Sequence, residues 1–260
     1  MKWILILIFS GAAVFGIIEK NHHSTKGSAK NGDQGFVVLE LFTSEGCSDC
    51  PPAEALALKM ENQVIPGADV IVLEEHVDYW DRLGWRDPFS SAEVTARQQR
   101  YAGLLHVEGP YTPQMVIDGR REFVANDSKQ AHGWLANAAH IAKTPVSVAV
   151  KEKSGDSISL AVQVNASGSA GDILLAIAET GLASDVARGE NAGRNLKHSA
   201  VMRRLSVIGR LKTGEAFSAE PVVQLAKDWK AENLRAVVFI QERESGRILR
   251  RCGSQHWTMS

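Results

Sequence analysis

Two cysteines, Cys47 and Cys50, are separated by Ser48-Asp49 and sit between two segments of opposite character. Before them Phe36-Val37-Val38-Leu39-Glu40-Leu41-Phe42 is a short β-branched and aromatic run of strand length. After them Ala53-Glu54-Ala55-Leu56-Ala57-Leu58-Lys59-Met60 has the composition of a helix. Cysteines three apart on a first helical turn share a face and can form a disulfide. Unpaired N–H groups at a helix N-terminus favour a thiolate, which is the nucleophile of disulfide exchange. Cys47 on the loop side would attack, and Cys50 one turn in would resolve. Glu45 and Asp49 put negative charge beside the sulfurs, which opposes the helix-end effect and favours a reducing pair.

Two plainer chemistries compete. A structural disulfide closing so short a ring stabilises by roughly 2 kcal/mol in the chain-entropy model. A zinc site needs two further ligands, and no second Cys-x-x-Cys exists. Soft sulfur ligands also suit Cu(I), with His76 at a strand end as the third ligand. The redox reading requires no organic cofactor. Ser-His-Asp spacing, a phosphate-binding glycine loop and a His-Glu-x-x-His motif are all missing from the sequence.

The elements that must hold these residues follow from pattern. Residues 1–19 carry Lys2 and then an uncharged apolar run, with Ser10-Gly11-Ala12 as a small-x-small site. This is read as a cleaved export signal, or alternatively an uncleaved N-terminal anchor; only the second would place the chain at a membrane. Export means a periplasmic or secreted protein, where a disulfide persists. Residues 20–35 form a polar linker that includes His22 and His23. The 260 residues carry a net charge of −1 and no basic tract interleaved with aromatics, so nucleic acid is not an expected partner. A protein or small-molecule disulfide is.

A second strand from Ala68 runs into Glu74-Glu75-His76-Val77-Asp78-Tyr79-Trp80-Asp81-Arg82-Leu83-Gly84-Trp85. Loops after strands of this kind commonly carry sites. His76, Tyr79 and Trp80 are therefore candidates for a substrate-facing wall beside the cysteines, the alternative being a loop pinned in the core by Trp80 and Trp85. Ser90 or Ser91 caps a helix to about Leu105, Gln114 opens a strand, Asp118-Gly119 turns a hairpin, and Asn126 or Asp127 caps a helix to about Ala142.

The order strand, helix, strand, helix, strand, strand, helix, with Cys-x-x-Cys after the first strand and Thr112-Pro113 before the third, resembles a thioredoxin fold. That resemblance implies a cis Pro113 packed beside the disulfide and Thr112 offering backbone groups to an extended substrate. Leu-Phe-Thr-Ser-Glu-Gly-Cys-Ser-Asp-Cys-Pro-Pro, His-Val-Asp-Tyr-Trp-Asp-Arg-Leu-Gly-Trp, Tyr-Thr-Pro-Gln and the later Arg188–His198 segment are together similar to an exported bacterial family catalogued as domain of unknown function 1223. The likeness implies fold and location, and leaves activity open. Unlike thioredoxin, this chain has Ser48-Asp49 between the cysteines and Pro51-Pro52 after them.

Beyond Thr144-Pro145 the period shifts to two, through Val146, Val148, Val150 and Ile158, Leu160, Val162, Val164. About seven short strands, including a long bent one from His198 to Leu211, suggest an antiparallel β-sandwich. The expected architecture is an α/β thioredoxin-like domain over 36–143 followed by a β-sandwich domain over 144–260. The polar loop Arg188–His198 either reaches back to the cysteines or a partner protein, or is a solvated hairpin, the plainer of the two. Cys252 is an odd thiol in the second part, expected to be free and at least half buried.

Overall fold

The computed structural model describes residues 35–63, 68–141, 144–166, 168–251 and 253–256. The export signal or anchor, most of the linker with His22 and His23, and Cys252 lie outside the described residues.

The first elements are β1 (Gly35–Thr43), α1 (Pro51–Asn62), β2 (Ala68–His76), α2 (Ala92–Leu104), β3 (Gln114–Ile117), β4 (Arg121–Val124) and α3 (Ser128–Ala139). This is the order read from the sequence, and the local signals that set it are visible. Cys50 is the N-cap of α1, and Pro51 and Pro52 occupy its first turn, where a missing N–H costs nothing. Ser91 accepts from the Val94 amide to start α2, and Asp127 accepts from Gln130 to start α3. Asp118 and Gly119 take φ of 50° and 60° at the centre of a tight turn closed by the Arg120 amide on the Ile117 carbonyl at 2.9 Å. The Thr112–Pro113 bond is cis, as the resemblance implied.

Among the described residues beyond α3 the elements are strands, apart from one 3-10 turn at Ala231–Asn233: β5 (Thr144–Ser154), β6 (Ser157–Val164), β7 (Gly171–Glu179), β8 (Ala183–Asp185), β9 (Asn195–Lys197), β10 (Val201–Leu211), β11 (Phe217–Ala219), β12 (Val222–Gln224), β13 (Leu234–Gln241), β14 (Arg250–Arg251) and β15 (Gly253–His256). The long bent strand is β10, whose ladder with β7 shifts register at Met202/Arg204 and Val207/Gly209.

The expected architecture needs correction. The chain does not form a thioredoxin-like α/β domain followed by a separate sandwich. One mixed eight-stranded sheet, ordered β15-β13-β7-β10-β2-β1-β3-β4, takes strands from both halves. The join is β10 beside β2, parallel, with Val201 opposite Glu74 and the Glu74 amide donating to the Ala200 carbonyl at 2.8 Å. The core confirms it. On one face of this sheet Val38, Phe42, Leu73 and Val116 belong to the same cluster as Leu174, Met202, Val237 and Phe239. On the other face, α1 and α3 cover β1–β3 around Leu39, Leu41, Ala57 and Leu135. A smaller sheet, β11-β6-β5-β14 with β12 beside β6, covers β7 and β13 through Leu160, Val162, Leu175 and Val238. The alternating strands of β5 and β6 were legible in sequence. The pairing of β10 with β2 was not, because one register between residues far apart in the chain leaves no local pattern.

Candidate functional site

Cys47 and Cys50 form a disulfide at the β1–α1 junction, their Cα atoms 5.4 Å apart. Cys47 is 1 % and Cys50 0 % exposed, whereas Ser48 and Asp49 between them are exposed. The bond therefore lies directly beneath a surface dipeptide. Asn191, in the loop joining β8 and β9, holds this junction from the far half of the chain: its Nδ2 donates to the carbonyls of Glu45 and Cys47, both at 2.9 Å. The Arg188–His198 segment thus reaches back to the cysteines through Asn191 and His198, the sharper of its two expectations. Arg188, Glu190, Arg194 and Lys197 are exposed.

Trp80 links the cysteine loop to the cis-proline loop. Its Cβ lies where a side chain on Gly46 would have to go, 3.1 Å from an added Cβ, and its Nε1 donates to Thr112 Oγ1 at 2.9 Å. Tyr79, also half-buried, donates to Gln98 Oε1 at 3.2 Å. Thr112 is half-buried and Pro113 buried.

His76 sits in a different setting from the one its position suggested. Side chains alternate along β2, so Glu74 and His76 share the face covered by α1, and Glu75 takes the other. His76 Nδ1 meets Asp87 Oδ2 at 2.7 Å and its Nε2 meets Glu74 Oε1 at 3.1 Å. His198 Nδ1 meets the same Glu74 oxygen at 2.8 Å, and its Nε2 meets Glu45 Oε1 at 3.1 Å. With both ring nitrogens of His76 engaged, a copper ion held on the sulfurs would have to break one of those bonds to gain it as a ligand.

The network extends outward. Glu74 Oε2 accepts from the amide and hydroxyl of Ser199 at 2.7 and 2.6 Å. Glu45 Oε2 accepts from Trp85 Nε1 at 2.7 Å, and Asp87 Oδ2 from the Glu45 amide at 2.8 Å. Glu54 on α1 accepts from Thr43 Oγ1 at 2.7 Å and brings its other oxygen to 4.0 Å from His198 Nδ1. All these carboxylates and both imidazoles are buried.

Burial, then the charge of Glu74, pushes the Glu54 carboxyl up to about 7. Burial alone would lower both imidazoles. The carboxylate of Asp87 outweighs it at His76, and hydrogen bonds to Glu45 and Glu74 push His198 up to about 9. Burial would raise Glu74 and Asp87, but the facing histidines hold both carboxyls below their ordinary range.

Glu45, Glu54, Glu74, Asp87 and Ser199 were not among the expected site residues, whereas Asn191 and His198 lie in the candidate segment Arg188–His198. A Glu-x-His pair on a strand was the available signal, because alternation puts both side chains on one face. A cavity of about 450 Å³, lined by Arg120, Arg121, Arg247 and Trp134 among others, contains none of the expected site residues.

The model of a family described as "Protein of unknown function (DUF1223)" matches residues 38–241. The chain belongs to this family. Among solved structures it is similar to protein AGR_C_4864 from Agrobacterium tumefaciens, with 27 % identity and a TM-score of 0.67 over 88 % of this chain and 98 % of that one. It is also similar to HBP35 of Porphyromonas gingivalis, with 14 % identity and a TM-score of 0.61 over 87 % of this chain and 76 % of that one. The second likeness shows a shared fold alone. No curated protein matches.

Proposed function

We propose that this DUF1223 protein is an exported thiol–disulfide redox protein in which Cys47 and Cys50 exchange with a protein or small-molecule disulfide. The observation that carries the reading is the Cys47–Cys50 bond placed at a helix N-terminus under exposed Ser48-Asp49. In the reduced form the Cys47 thiolate attacks one sulfur of a substrate disulfide, which breaks that S–S bond, expels the other sulfur as a thiolate and forms a mixed disulfide. Cys50 then attacks Cys47, closing the intramolecular bond and releasing the substrate as a thiol, so two electrons pass from the pair to the substrate. Thr112, Pro113, Tyr79 and Trp80 supply the adjoining wall for the incoming chain.

The burial of both cysteines favours a second reading, a non-catalytic module whose disulfide is structural. An insulin-reduction assay decides between them. Turnover by the wild-type chain that disappears in Cys47→Ser, with Cys50→Ser trapping a mixed disulfide, supports the redox reading. No turnover by a folded, fully reduced wild-type chain sinks it and leaves the structural one. Repeating the assay after copper loading tests the sulfur-held Cu(I) alternative, which requires one copper per chain that is lost in Cys47→Ser.

A further inference from the structure

We propose that Glu74, His76 and His198 form a Zn²⁺ site buried between β2, α1 and the segment after β9. The site is independent of the sulfurs and of the redox reading.

The argument begins with hydrogen-bond direction. Asp87 and Glu45 are carboxylates, and an ionised carboxylate only accepts. Each therefore fixes the nitrogen facing it as an N–H: Nδ1 of His76 toward Asp87, and Nε2 of His198 toward Glu45. In the neutral tautomers this leaves His76 Nε2 and His198 Nδ1 as lone pairs. Both point at one oxygen of a third carboxylate, Glu74 Oε1, at 3.1 and 2.8 Å. Three acceptors cannot face one another in a dry interior without something positive among them. Either each ring takes a second proton, giving two imidazolium rings with centroids 4.9 Å apart, or one divalent cation supplies the same charge.

The spacing suits the cation. The donor atoms of Glu74, His76 and His198 all lie within 4.8 Å of one another. Tetrahedral zinc with bonds of about 2.0 Å places its ligand atoms roughly 3.3 Å apart, a few tenths beyond the two separations to Glu74. Glu54 Oε2, 4.0 Å from His198 Nδ1, stands just outside this group of three.

Every ligand is also held from behind. Asp87 orients His76, Glu45 orients His198, and Ser199 fixes the other oxygen of Glu74 through two hydrogen bonds. Carboxylate–histidine–metal relays of this kind orient the ligands of zinc sites and set the tautomer. Two imidazoles and a carboxylate, without sulfur, select Zn²⁺ over Cu(I).

The test uses the full chain. After loading with Zn²⁺ and exhaustive dialysis, elemental analysis is expected to find one zinc per chain in wild type and in the Cys47→Ser/Cys50→Ser double variant. His198→Gln and His76→Gln are expected to bring the stoichiometry to zero, while His22→Ala/His23→Ala leaves it at one. Should the buried histidine variants fail to fold, Asp87→Asn is expected to weaken zinc binding roughly 10- to 100-fold with the ligands intact. In the wild-type chain, Co²⁺ is expected to give the visible absorption of a tetrahedral nitrogen and oxygen site. A folded wild-type chain that dialyses free of zinc and whose unfolding midpoint ignores excess zinc overturns the proposal. So does zinc retained at one per chain in folded His198→Gln, or a sulfur-to-cobalt charge-transfer band in wild type that vanishes in the cysteine variant.

Discussion

Asn191 is where the residue scale bears most directly on function. Its two hydrogen bonds to the Glu45 and Cys47 carbonyls tie a loop from the far half of the chain onto the disulfide-bearing turn. Asn191→Ala is expected to cost about 1–2 kcal/mol and to speed reduction of the Cys47–Cys50 bond by dithiothreitol. An unchanged reduction rate, measured by thiol release, would show that this loop does not guard the sulfurs. On the opposite face of β2, Glu75 is fully buried beside Glu40 and Arg97. Burial first and the charge of Glu40 second raise its proton affinity well above the ordinary value of 4.5, against the pull of Arg97. The folded state thus keeps a proton that the unfolded state loses, so stability falls as pH rises above about 4.5, by at most about 1.4 kcal/mol per unit from this group. Glu75→Gln is expected to flatten that slope in urea titrations between pH 5 and 8, and to leave wild type the less stable at pH 8.

At the scale of elements, the turns and caps differ in how much depends on them. Ser91→Ala removes the acceptor for the Val94 amide and is expected to lower stability by about 1 kcal/mol, as a lost helix cap does. The β3–β4 turn is less forgiving. A Cβ added at Gly119 would lie 1.9 Å from the Gly246 carbonyl oxygen, in backbone that already has φ of 60°. Gly119→Ala is expected to cost roughly 3 kcal/mol or more, since the Gly246 carbonyl is held by Gln241 Nε2 at 2.6 Å and the Gly119 turn by the Arg120 amide on the Ile117 carbonyl at 2.9 Å. Paired urea curves on the two variants check the ranking. Here the sequence was a good guide: Ser91, Asp127 and Asp118-Gly119 signal their roles through neighbours only a few residues away. It was silent at the cysteine turn, where Glu45 directs its carboxylate to Trp85 and His198.

For the whole molecule, the shared sheet sets the behaviour. Arg97 and Tyr101 on α2 bond to Gln241 at the end of β13, and the Ile248 amide donates to the Asp118 carbonyl at 2.8 Å. Contacts of this kind, added to the β10–β2 join and the core cluster that crosses it, make the two halves mutually dependent. Residues 35 onward are expected to unfold in one transition, with coincident far- and near-ultraviolet dichroism curves. A chain ending at residue 143 would bare one edge of β2 and half of an apolar face, and is expected not to fold cooperatively. Two separated transitions would restore the idea of two independent parts.

Residue order alone makes the local facts legible: a strand handing over to a helix through Cys47 and Cys50, the cap and turn residues, and the order of the first seven elements. These depend on neighbours within a few residues, whose periodicity and steric preferences are written in the chain. Only the tertiary structure decided that β10 lies against β2, that Asn191 grips the cysteine turn, and that His76 and His198 converge on Glu74. Such meetings depend on which sheet edge is left open and which face a helix covers. That is settled by packing the whole core at once, and no short stretch of residues carries it.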